Sequence, residues 1–251
     1  MSRVMRQWLM LAVMLAGGTV VVPGVLSAQG GEGFLFSQPR ATLKFESGYG
    51  WQAATSDVYD WVIQEHTIGR RDFDAPYFGG ELGIRVNDRT DVAIAVGYQS
   101  GSVQSEYRDW VDTDDRPILQ TTRLKQIPAV ASLKFYPVAR GRQIGRFAWV
   151  PRTISPFIGG GVGFISYAFT QVGDFVDYET LDIYYDIVES KGESFLARAQ
   201  GGVNVSLSKQ FVLTVEGRYN WSSTPMEGGW VGFENIDLNG LQVIGGIAVR
   251  F

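Results

Sequence analysis

The 251-residue chain contains no cysteine. That excludes disulfides, thiol catalysis and cysteine-ligated zinc, so the fold is held by backbone pairing and packing alone. It has one histidine, His66, and no His-x-Ser motif. Phosphate-cradling glycine loops, zinc-ligand spacings and nucleophile motifs are missing as well. Basic charge is not in excess, with 22 Lys+Arg against 26 Asp+Glu, so no nucleic-acid partner is expected. Beyond the amino terminus no apolar run approaches the roughly 20 residues of a membrane-spanning helix. A membrane passage here must be made of strands.

What is present begins with a leader. Arg3 and Arg6 precede the apolar run Trp8–Ala16, and Leu26-Ser27-Ala28 offers small residues for cleavage. This is the layout of a secretory signal peptide over 1–28. Gly17, Gly18 and Pro23 interrupt the run, which disfavours the alternative of a retained anchor. Cleavage after Ala28 leaves 223 residues. Residues 29–39, with Gln29-Gly-Gly-Glu-Gly33, read as a flexible mature terminus, and 40–251 as one domain.

That domain alternates. The chain ends Leu241-Gln-Val-Ile-Gly-Gly-Ile-Ala-Val-Arg-Phe251. Leu241, Val243, Gly245, Ile247, Val249 and Phe251 fall on one face, because successive side chains of a strand point to opposite sides. Seven further segments alternate likewise: about 41–51, 78–86, 92–98, 124–136, 156–169, 197–207 and 211–221. The fifth is expected to keep Gly159, Gly161 and Gly163 inside, with a bulge shifting the face over 165–169. The prediction is an all-β, antiparallel, up-and-down transmembrane β-barrel of eight strands, or ten if 175–188 adds a hairpin to the wall.

A soluble sandwich or lipocalin-like barrel would also alternate. Two features favour the membrane. The polar faces carry Gly48, Gly79, Gly83, Gly97, Gly159, Gly161, Gly163 and Gly202, which a solvated face does not need and a narrow lumen does. The aromatics also form two bands: Tyr49, Trp51, Tyr98, Tyr219 and Trp221 at one end of the strands, Phe135, Phe211 and Phe251 at the other. Girdles of this kind mark the two interfaces of a membrane barrel.

Connections after odd strands are long (52–76, 100–123, 170–195, 222–239). Two of those after even strands are short (87–90, 208–210), and 137–154 is the exception. The four long segments hold 20 of the 26 acids, whereas 137–154 holds Arg140, Arg142, Arg146 and Arg152 and no acid. Short turns face the periplasm in outer-membrane barrels, so both termini are expected there.

With Pro156-Phe-Ile-Gly-Gly-Gly-Val-Gly-Phe164, Glu216-Gly-Arg-Tyr219, Asp237-Leu-Asn-Gly-Leu241 and the terminal Phe251 placed on these strands, the sequence resembles small outer-membrane barrel proteins of the broad OmpA-transmembrane-domain, OmpX and OmpW kind, from about Arg40 to Phe251. The resemblance implies an integral outer-membrane protein in contact with lipid and lipopolysaccharide. It implies insertion by the barrel assembly machinery, with Phe251 in the terminal recognition signal. It does not specify a task, because this fold hosts unrelated ones.

Eight charges fall on inward faces: Lys44, Glu46, Glu81, Arg85, Lys134, Arg198, Glu216 and Arg218. They are expected to form a packed ion-pair network rather than an ion path, with two bases in surplus. His66 reads as a solvated loop histidine. Asp109, Asp112, Asp114 and Asp115 read as a solvated acidic loop, since they lack the glycine and terminal glutamate of an EF-hand. The stretch 175–188 reads as a short helix or extra hairpin over the barrel mouth. No cofactor or metal is expected. The leading functional expectation is a non-enzymatic structural or surface-interaction barrel with an unknown external ligand. A narrow pore or lateral conduit is the first alternative, and a lipid-modifying enzyme the second.

Overall fold

The computed structural model describes residues 34–145 and 148–251. The expected signal peptide lies outside the described residues. Eight strands close into a barrel: β1 (Ala41–Gln52), β2 (Ala75–Asn87), β3 (Thr90–Val111), β4 (Pro117–Phe135), β7 (Ile154–Val176), β8 (Ile183–Ser206), β9 (Phe211–Trp221) and β12 (Gly240–Arg250). Two small pairs lie outside the wall: β5 (Gly141–Ile144) with β6 (Ala148–Pro151), and β10 (Ser223–Thr224) with β11 (Ile236–Asp237). Every wall neighbour is antiparallel, and β1 seals against β12 from Thr42↔Arg250 to Gln52↔Gly240. Closure removes the open edges that a sheet otherwise exposes.

Alternation governs the wall. On β12 the outward Leu241, Val243, Ile247 and Val249 are exposed while Gln242, Ile244, Ala248 and Arg250 are buried. From Phe211 to Trp221 on β9, ten steps of about 3.3 Å at the usual tilt give an apolar band about 25 Å tall.

Four strands outrun the others. The β3–β4 pairing continues to Val111↔Pro117, and β7–β8 to Val176↔Ile183. Segments 100–123 and 170–195, expected as loops, are therefore mostly strand. They rise beyond the mouth as a four-stranded sheet, since β4 pairs β7 up to Gln120↔Gly173. The stretch 175–188 is the tip of this hairpin, neither a helix nor an added pair, and the wall has eight strands. No bulge shifts β7: its register with β4 is continuous from Ile158 to Gly173, and Ile165, Tyr167 and Phe169 point inward.

Two long connections fold into the mouth. The first carries α1 (Asp57–Glu65) and a 3-10 turn, Arg70–Phe73. Asp57 and Asp60 lie in the first turn of α1, where the helix dipole favours acids. The second runs from Ser222 to Asn239. Asp237 ties them together: its Oδ2 accepts from Thr55 N–H at 3.2 Å and Thr55 Oγ1 at 2.5 Å, and its main-chain oxygen from Tyr59 OH at 2.9 Å. At the opposite end, 137–154 supplies the β5–β6 hairpin. Leu35, in the segment expected to be flexible, exchanges two backbone hydrogen bonds with Trp149 of β6.

Candidate functional site: a lumen closed in two layers

The first layer is ionic. Lys44 and Glu81 are cross-strand partners on β1 and β2, so their side chains start side by side in the lumen. Lys44 Nζ lies 3.0 Å from Glu46, 3.3 Å from Glu81 and 3.2 Å from Glu216. Lys134 Nζ lies 2.5 Å from Glu81 and 3.5 Å from Glu216. Arg218 grips Glu46 through two bonds of 2.7 Å, pairs with Glu216, and sits 3.7 Å from Glu81. Tyr77 OH donates to Glu46 at 2.9 Å. All six charged side chains are at most 8% exposed. Three acids meet three bases, and this neutrality makes their burial tolerable, because an unpaired buried charge is expensive. The three carboxylates approach within 4.8 Å of one another, but the bases already occupy the space between them.

Two expected members stand elsewhere. Arg85 pairs with Asp88 at 3.0 Å in the turn at the terminal end. Arg198 is buried and donates to Asn220 Oδ1 at 2.8 Å, with no acid partner among the described residues. The expected surplus of base therefore vanishes from the network itself.

Glycines make room for this layer. A Cβ at Gly97 would sit 2.3 Å from the Tyr77 ring, and one at Gly79 2.6 Å from its hydroxyl. Tyr77 lies flat over these two positions and so reaches Glu46. Alternation from Phe78 onward does not reach Tyr77, because β2 starts three residues earlier, at Ala75.

The lumen above the ionic layer is polar, as expected, with Gln242 donating to Gln99 and Arg198 to Asn220, and a second, apolar layer caps it at the mouth. Val58, Tyr59 and Val62 of α1, Trp230, Ile236 and Leu238 are buried against inward wall residues Leu124, Ile165, Phe169 and Leu196. Tyr59 packs edge-on to Phe73 at 4.8 Å, and Phe169 to Trp230 at 5.1 Å. Burial holds the Tyr59 phenol well above its ordinary value.

His66 is fully buried, not solvated. Its ring lies 4.4 Å from Tyr107, with Nδ1 3.2 Å from Val62 O and Nε2 3.2 Å from Gln171 Nε2. An Nδ1–H tautomer donating to Val62 and accepting from Gln171 satisfies both contacts. Burial pushes its pKa below the ordinary value. Asp112 organises the β3–β4 tip by accepting from the N–H groups of Asp114 and Arg116, both at 2.8 Å. In the outer bands, Tyr49, Trp51, Tyr98, Phe135, Phe211, Trp221 and Phe251 are exposed and Tyr219 is half-buried. Phe164 and Phe195, with ring centroids 6.4 Å apart, complete the upper band. Phe195 was hidden by its assignment to a loop.

A closed barrel with an apolar belt, aromatic rims and a charged, side-chain-filled core is the architecture of a transmembrane β-barrel. No protein-family model matches this chain, and no curated protein matches it in sequence. Solved structures similar to it include Neisserial surface protein A (12% identity, covering 84% of this chain and 97% of that one, TM-score 0.43). They also include outer membrane protein W of E. coli (10%, 86% and 99%, 0.45) and the N-terminal β-barrel domain of Pseudomonas aeruginosa OprF (12%, 85% and 100%, 0.33). The assignment to a membrane barrel rests on the exterior and core described above.

Proposed function

We propose that this protein is an integral outer-membrane barrel with a closed lumen, acting through the sheet it raises beyond the membrane rather than by conduction or catalysis. One observation carries the reading. The bore is filled by an ion-pair layer and an apolar plug, while β3, β4, β7 and β8 continue past the mouth and expose Ile183, Tyr184, Tyr185 and Ile187 among acidic residues. Apolar side chains on a solvated acidic sheet suit contact with another molecule at the cell surface. The lipid and lipopolysaccharide of the outer membrane would surround the belt. Phe251, whose N–H donates to Ala41 O at 2.9 Å, would act during insertion by the barrel assembly machinery.

The reading places the termini in the periplasm and the tips outside. Its test is amine labelling of intact cells with a membrane-impermeant reagent. Lys191, 66% exposed on the raised sheet, should react, and Lys209, in the β8–β9 turn, should not. The reverse pattern would overturn the orientation. The non-enzymatic part of the reading is supported by His66, whose imidazole is enclosed by Tyr107, Val62 and Gln171. Lipid A that changes on expression of this chain would overturn that part.

A further inference from the structure

The end of the barrel that carries the termini holds a second cluster of cations, separate from the ion-pair layer. Arg85 and Arg250 converge there on Trp149, which β6 places in the mouth, and Arg140 stands nearby over Tyr136. The guanidinium of Arg85 lies 5.5 Å and that of Arg250 5.6 Å from the Trp149 ring. Arg140 lies 4.5 Å from the Tyr136 ring and pairs with Asp91 at 2.5 Å. Arg85 pairs with Asp88. Arg250 donates to Ser206 Oγ at 2.7 Å and has no acid among the described residues within ion-pair distance. Three guanidiniums thus face two carboxylates, and the flanking 137–154 segment adds Arg142 and Arg152 with no acid.

Arg40, Arg85, Arg140, Arg250, Asp91 and Trp149 line a cavity of about 60 Å³ whose ceiling is Lys44, Glu81 and Lys134. On this measure a water needs roughly 10–15 Å³, so the space suits about four water-sized groups, the size of a tetrahedral oxyanion. Two donors on its wall are buried with no partner among the described residues: Trp149 Nε1 and Arg140 Nε. Buried donors in native proteins are nearly always satisfied, and acceptor oxygens would satisfy both. Asp91 Oδ1 is also unpartnered, which leaves one place for a protonated oxygen.

We propose that this vestibule is a binding site for a phosphate-class oxyanion, held by Arg250 and Arg140 with Trp149 Nε1 as a neutral donor. Guanidinium forks match the geometry of phosphate oxygens, and a low-dielectric pocket lined by positive charge concentrates anions. The anion has two sources of the same chemistry: free phosphate, or the phosphodiester of a lipid headgroup at this face.

The experiment is calorimetric titration of the full protein in an uncharged detergent, at constant ionic strength set by chloride. One arm uses inorganic phosphate and the other dihexanoyl-phosphatidylglycerol below its micellar concentration. Saturable binding is expected in at least one arm, and the responding arm identifies the source. Arg250→Met should weaken it by about tenfold or more, as expected for loss of a charge-assisted contact. Trp149→Phe, which keeps the ring and removes only the N–H, should weaken it by a smaller factor. That variant also carries the test if Arg250→Met, next to the chain's last residue, impairs assembly. Absence of saturable binding in both arms, or unchanged affinity in the variants, would overturn the proposal.

Discussion

Removing Arg218 is the sharpest perturbation of the ionic layer. Its side chain is 0% exposed and touches all three acids, twice in the case of Glu46. Arg218→Met fills similar volume but leaves Glu46, Glu81 and Glu216 facing only Lys44 and Lys134. One carboxylate is then uncompensated in a dry core. Breaking a buried pair in this way costs about 3–5 kcal/mol, less where water enters. The double variant Arg218→Met with Glu46→Gln restores neutrality, and the amide still accepts from Tyr77 OH. It should recover at least half of the loss. Urea unfolding in lipid vesicles, followed by tryptophan fluorescence and by gel mobility of unboiled samples, reads both effects. A single variant within about 0.5 kcal/mol of the parent, the range of ordinary surface changes, would refute the buried-network reasoning. So would a double variant whose two losses add.

Other outcomes follow from the same geometry. Val243→Arg places a cation on the lipid face near mid-strand and should cost roughly 2–4 kcal/mol, whereas Val231→Arg, in a solvated loop, should leave the folded yield unchanged in a refolding assay. Gln242→Arg, on the lumen face, should also destabilise, because Gln242 pairs across from Arg218 and donates to Gln99 at 2.8 Å. Gly97→Val should displace Tyr77 and lower the urea midpoint, while Gly245→Val, whose added carbon meets nothing within 4 Å, should not. For His66 the folded pKa is depressed, so the unfolded chain binds the proton more readily as pH falls. Stability of the plug is then full above the unfolded value near 6.5 and declines as pH drops below it. The protection factor at α1, with exchange corrected for its intrinsic pH dependence, should fall as pH drops below about 6.5, and His66→Gln should flatten that dependence.

Much of the wall is readable from alternation because lipid imposes it. On β1, β9 and β12 every outward residue must be apolar or small, so the period-two pattern is unbroken and the bounds fall within a residue or two. The pattern fades where β3, β4, β7 and β8 leave the belt. There Ser102, Gln104 and Glu106 face out while Ser105 and Gln120 face in, and two polar faces look like a loop. The site was legible in facing but not in height. Arg85 and Glu81 share an inward face, yet four residues along a strand is about 13 Å, enough to take Arg85 out of the cluster and into the arginine vestibule. The plug was hidden differently. Val58, Tyr59 and Val62 have helical spacing after Ser56-Asp57, a start signal of the kind helices use, but they lie in a long, acidic connection whose composition is that of a loop. The burial of His66 follows from that plug and has no signal of its own.

The central claim is that the bore is closed twice, by ion pairs and by an apolar plug. Single-channel recording in planar bilayers tests it most directly. Pure protein should give no reproducible conductance step in either polarity, and a variant lacking residues 56–67, which removes α1 and leaves the ionic layer in place, should remain silent as well. A steady, protein-dependent step from the intact chain would contradict the closed lumen and establish a continuous path through it.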